Sequence, residues 1–92
     1  MATNKAIKAY KLVGRIGKQP VEMPTGAEVM SARGGSEDEL AIFCRVDPNE
    51  HIVSRTISLV DTEHPRPDDE TGGKYIGNIQ FAGTTLHVFD LG

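Results

Sequence analysis

Three arginines carry the sharpest chemical signal in this chain of 92 residues. Arg45 and Arg55 lie inside strand-like runs, and Arg66 lies in the polar stretch His64-Pro65-Arg66-Pro67-Asp68-Asp69. A guanidinium is a planar fork that binds two phosphate oxygens at once. A pocket formed by Arg55, Arg66, Thr56 and His64, with Tyr75 or Phe43 stacking on a base, would hold a nucleotide. The alternative is ordinary ion pairing of these arginines with Asp47, Asp61 or Asp68.

Three histidines raise the question of metal or acid–base chemistry. His51, His64 and His87 stand 13 and 23 residues apart. That spacing has no short-range pair, which zinc sites with a sequence signature usually show. No metal site is expected, and no cofactor. His64 with Asp68, Asp69 and Glu70 could serve as a hydrolytic acid–base set, but the same composition is normal for a solvated connection. Pro65 and Pro67 stiffen that connection and reduce the entropy lost in holding one shape. Cys44 has no neighbour in sequence that would activate a thiolate, so it reads as a small core residue. No catalytic constellation emerges, and the chain is expected not to be an enzyme.

Charge is unevenly distributed. Residues 1–21 hold five cations (Lys5, Lys8, Lys11, Arg15, Lys18) and no acid, while the remainder holds five cations and thirteen acids. Glu37, Asp38 and Glu39, with Asp68, Asp69 and Glu70, could together present an acidic surface that mimics nucleic acid toward a basic protein complex. Direct DNA binding is disfavoured, because non-specific binding needs many cations on phosphates. One cysteine permits no internal disulfide, which with an N-terminus unlike a signal peptide points to a reducing cytoplasm. No apolar run approaches the roughly 20 residues needed to cross a bilayer.

The elements that must position these groups are β-strands. Alternation marks Ile7–Val13, Ala27–Ala32, Leu40–Val46, His51–Val60, Tyr75–Phe81 and Thr85–Phe89. Pro20 to Pro24 is extended, and its two prolines make it an edge strand or a covering segment. Leu40–Val46 is apolar on both faces: Leu40, Ile42, Cys44 and Val46 on one, Ala41, Phe43 and Arg45 on the other. Such a strand is usually central, and a second subunit could cover its other face. Gly77 in mid-strand suggests a bulge. Tyr75, Gly77, Ile79 and Phe81 read as one face. Gly14–Pro20 reads as turn material, and Asp61–Gly73 as a long connection of the kind that often carries function. No segment has a helical period. One all-β domain over residues 1–92 is expected, frayed over residues 1–5. It would be an antiparallel sandwich or partly open barrel of about six to seven strands. A domain this small often gains from self-association, so a homo-oligomer is expected.

The run His64-Pro65-Arg66-Pro67-Asp68-Asp69, with Tyr75-Ile76-Gly77 and Leu86-His87-Val88-Phe89, resembles a group of small proteins of about this length from bacteriophages, prophages and bacteria, known as a domain of unknown function. The matching pattern includes Tyr10-Lys11-Leu12, Val21 to Ala27, Val46-Asp47-Pro48 and Arg55-Thr56, and so spans nearly the whole chain. That group often carries a tryptophan in the region of Leu40–Val46 and another before the counterpart of His87. Here Phe43 and Leu86 occupy those regions. The resemblance implies an all-β fold and a phage origin, and carries no catalytic or binding residue. The expected function is a phage-encoded binding protein in the host cytoplasm that interferes with host defence by sequestering a nucleotide-type signal. The alternatives are an anti-CRISPR-like inhibitor of a host protein complex and a phage structural or accessory module.

Overall fold

The computed structural model describes residues 4–35 and 39–92. The chain runs β1 (Ala6–Lys11), β2 (Gly17–Pro24), β3 (Glu28–Arg33), β4 (Ala41–Val46), β5 (Ile52–Asp61), α1 (Asp68–Thr71), β6 (Lys74–Phe81) and β7 (Thr84–Asp90). The strands form two antiparallel sheets, one of three strands in the order β1-β4-β3 and one of four in the order β2-β5-β7-β6. This is the sandwich form of the expected all-β fold. Of the fraying expected at residues 1–5, residues 1–3 lie outside the described residues.

The core is aliphatic and lies between the sheets. Ile42, Cys44 and Val46 of β4 point inward against Met23, Ile57, Leu59, Leu86 and Val88, all essentially sequestered from water. β4 is central in its sheet, as its two apolar faces require. β2 is an edge strand, consistent with Pro20 and Pro24, and it begins earlier than expected, at Gly17. The reason lies in Gln19, which is buried. Its side-chain amide accepts from the Val13 N–H at 2.8 Å and donates to the Val13 carbonyl at 2.8 Å. One side chain thereby satisfies the backbone at the start of the preceding loop and draws it against β2.

The register shifts between Tyr75 and Gly77 against β7, and Gly77 takes φ +154°, a conformation that favours glycine. This is the bulge that Gly77 suggested. Its consequence corrects the alternation: Tyr75 lies opposite Phe89 on the outer face, while Ile79 opposite Leu86 faces the core. The long connection is also more structured than the sequence suggested. It contains the single helical turn α1, which packs against β5. Ser58 and Val60, which alternate outward from Ile57 and Leu59 on that strand, are buried as well.

Candidate binding surfaces

Arg55 shares the inner face of β5 with Ile57 and Leu59. Its Nη1 donates to the Ala27 carbonyl at 2.8 Å and its Nη2 to Asp90 Oδ2 at 2.5 Å. The two side chains are only 18% and 9% exposed. Cys44 lies within electrostatic reach of this pair. Burial pushes its thiol up to about 11, with Asp90 adding to the rise and Arg55 opposing it. A thiol held that high is mostly un-ionised near neutrality and is a poor nucleophile.

Arg66 lies on the opposite side of the same sheet. Its guanidinium grips the buried Glu70 carboxylate at 2.9 and 3.2 Å. Next to it, Lys18 Nζ donates to Asp69 Oδ2 at 2.6 Å, a bond that lowers the Asp69 pKa and raises that of Lys18. The connection is therefore braced internally by Arg66 and Glu70 and pinned onto β2 by Lys18. Arg55 and Arg66 do not meet in one pocket, because β5 separates them. The third arginine, Arg45, pairs with Glu28 at 2.5 Å. All three arginines are thus in ion pairs, with Asp90, Glu70 and Glu28 where Asp47, Asp61 or Asp68 had been expected.

Of the remaining expected site residues, Thr56 and Tyr75 fall on the outer face of the four-stranded sheet, and His64 lies in the connection beyond β5. Thr56 is half-buried, its carbonyl accepting from the Leu91 N–H at 2.9 Å and its N–H donating to the Gly92 carbonyl at 3.2 Å. His64 Nδ1 lies 2.7 Å from Asp61 Oδ2. Tyr75 packs edge-on against Phe89 at 5.3 Å, and its hydroxyl is 2.9 Å from His87 Nδ1. The other His87 nitrogen, Nε2, is 2.8 Å from Thr62 Oγ1. With both ring nitrogens engaged by hydroxyls, His87 ties the connection to the sheet. Among the described residues, no cluster of three His, Cys, Asp or Glu side chains could hold a metal ion.

The acidic groups are likewise divided. Asp69 and Glu70 are engaged above β2 and β5, with Asp68 exposed nearby. Glu39 lies on the outer side of the other sheet, and Glu37 and Asp38 lie outside the described residues.

The outer face of the three-stranded sheet is different in kind, because no part of the described chain covers it. Residues opposed across antiparallel strands share a face, so the register sets out three rows. Ile7, Arg45 and Glu28 form the first; Ala9, Phe43 and Ser31 the second; Lys11, Ala41 and Arg33 the third. Over the second and third rows lies an open concavity of about 400 Å³, walled by Ala9, Ala41, Phe43, Lys11, Arg33 and Glu39. It combines a half-buried aromatic ring with two cations and one carboxylate. A second concavity of about 310 Å³ lies at one end of the sandwich, between Ile16, Asp61, Phe81 and Leu86.

Phe43 was legible as a possible stacking group, while Lys11 and Arg33 were not. Their placement beside Phe43 follows from β4 inserting between β1 and β3. Alternation along a single strand carries no sign of that order.

Among the described residues, no helix is long and apolar enough to cross a membrane. Comparison with curated proteins and with solved structures returned no match. A family model described as a domain of unknown function, DUF7352, matches residues 3–92. That match covers nearly all of the sequence, and the chain belongs to this family.

Proposed function

We propose that this is a non-catalytic binding protein whose working surface is the outer face of β1-β4-β3, and that its ligand is an anion bearing a flat ring, of the nucleotide class. The observation that carries this reading is the concavity walled by Phe43, Lys11 and Arg33, with Ala41 between the two cations and the Phe43 ring in the neighbouring row. Small-ligand sites typically occupy about 300–1,000 Å³ and combine apolar walls with a few placed polar groups. Phe43 supplies a face for stacking, and Arg33 a fork for phosphate. Arg55 and Arg66, by contrast, are held by carboxylates. In the fuller version of the proposal, the protein is phage-encoded, acts in the host cytoplasm and interferes with defence by sequestering a nucleotide signal. The small size and the resemblance of its HPxPDD and YIG segments to phage proteins support that version.

Native mass spectrometry of the purified protein, followed by equilibrium binding against cyclic oligonucleotides and adenosine-diphosphate-ribose derivatives, tests the reading. Binding that falls away in Phe43→Ala and Arg33→Ala supports it. Uniform absence of binding ends it. The same spectrum counts subunits and so tests the expected homo-oligomer. A second reading, docking of a host protein, is favoured by Ile7, an apolar side chain 61% exposed on this same face. A stoichiometric protein recovered from host lysate, with no small molecule bound, would favour it.

A further inference from the structure

We propose that the free edge of β1 is a docking site for an extended, acidic segment of a partner protein, which would add to the three-stranded sheet as a fourth strand.

The inference rests on how the four sheet edges differ. An open edge is a row of unpaired N–H and C=O groups, and proteins normally blunt it. β2 carries Pro20 and Pro24, which have no N–H to offer. β3 is broken by a register shift between Val29 and Ser31, and its end packs closely on β6 at Gly34. β6 is broken by the shift between Tyr75 and Gly77. β1 has neither proline nor bulge and keeps an unbroken register with β4 over all six of its residues.

The polarity of that edge follows from one further bond. The Leu12 N–H donates to the Leu40 carbonyl at 2.8 Å, continuing the β1–β4 ladder. Antiparallel bonding alternates along a strand, so Tyr10, Lys8 and Ala6 bond toward β4, and Ile7 and Ala9 turn their N–H and C=O groups to the open edge. Strand addition uses such a row for affinity and alternate side chains for specificity.

Charge selects the occupant. Residues 1–21 contain five cations and no acid; Lys8, within β1, and Lys5, just before it, are both exposed. Opposite charges facing each other across a strand pair stabilise it, and like charges destabilise it. Two copies of β1 would bring the lysines of both to one seam, with lysine facing lysine when they pair about Lys8, and an acidic partner avoids that repulsion. A segment alternating acidic and β-branched residues fits. This docking goes beyond the nucleotide reading, since it uses the strand's main chain and leaves Phe43 and Arg33 untouched.

The test is an NMR titration with a seven-residue peptide of alternating glutamate and valine, blocked at both ends, and with its lysine–valine counterpart. The expected result is hydrogen-exchange protection of the Ile7 and Ala9 amides by the glutamate peptide alone, weakened by added salt. In Ile7→Pro, which removes an outward N–H without costing a β1–β4 bond, affinity should fall about tenfold, as the loss of one to two main-chain bonds implies. Equal binding of the lysine peptide, undiminished binding to Ile7→Pro, or no protection of these amides would each overturn the proposal. A concentration-dependent dimer abolished by Ile7→Pro would assign the edge to a second copy and overturn it equally. None of these outcomes alters nucleotide binding at Phe43, which is measured separately.

Discussion

Arg55 and Asp90 meet at 2.5 Å inside one end of the sandwich, and they join the middle of β5 to the last residue of β7. Asp90 lies opposite Ile57, two residues beyond Arg55 along β5, on the face that packs the core. The pair is largely removed from water, so its two partners depend on each other. Taking away one charge strands the other, which is far more costly than removing both.

Asp90→Ala should therefore destabilise the fold by about 3 kcal/mol, the range for a broken buried pair. The double variant Arg55→Met with Asp90→Leu should recover much of that loss. Urea denaturation of the three proteins provides the comparison. Equal losses in the single and double variants would show that packing, and not charge, holds this end.

The connection after β5 should prove tethered. Glu70 is buried and braces the connection from within by holding Arg66. Glu70→Ala removes a charge-assisted bond, at a cost of about 2 kcal/mol. It should also speed proteolysis between Thr62 and Gly73 while leaving the strands protected. Limited proteolysis with mass readout of the fragments would show this. A cleavage pattern unchanged from the parent protein would contradict the tether.

Acid should weaken two surface ion pairs in a defined direction. Asp69 is lowered from its ordinary 3.8 by the bond from Lys18, and Glu28 from 4.5 by the bond from Arg45. A carboxylate whose folded pKa is depressed adds stability that is fully present above its unfolded value and is lost as pH falls through the folded one. Stability should thus decline as pH drops below about 4.5, and the decline should be shallower in Asp69→Asn. Because these pairs are exposed, salt should reduce the effect. Thermal melts between pH 2 and pH 7 (roughly spanning both values) at low and high salt would measure it.

Cys44 should be inert in the folded protein. Its thiol is buried and raised to about 11. Labelling by a thiol reagent at neutral pH should be slow in buffer and fast in denaturant, because reaction requires the thiolate and access to it. Rapid labelling under native conditions would show that the β4 region opens.

Much of the frame was written in local pattern. The two apolar faces of Leu40–Val46 placed β4 in the middle of a sheet, the prolines placed β2 at an edge, and Gly77 marked a bulge. Other features depended on pairing that no local window contains. Arg55 alternates with Thr56, yet which of the two enters the core depends on the partner sheet. Tyr75 changes face because the bulge adds a residue to β6. The turn at Asp68–Thr71 is too short to show a helical period and forms because Glu70 reaches Arg66 and Asp69 reaches Lys18. The arginines were legible as strand residues, but their carboxylate partners were fixed by strand order. The candidate surface was the least legible element, since three strands distant in sequence supply Lys11, Phe43 and Arg33.

The central claim is that the outer face of β1-β4-β3 binds an anion bearing a flat ring. The most direct measurement is an amide and side-chain NMR titration of the intact protein with the nucleotide panel. The account predicts saturable shifts centred on Ala9, Phe43 and Arg33, and their loss in Phe43→Ala. Shifts confined to Thr62, Tyr75 and His87 on the opposite sheet, or none for any member of the panel, would contradict it.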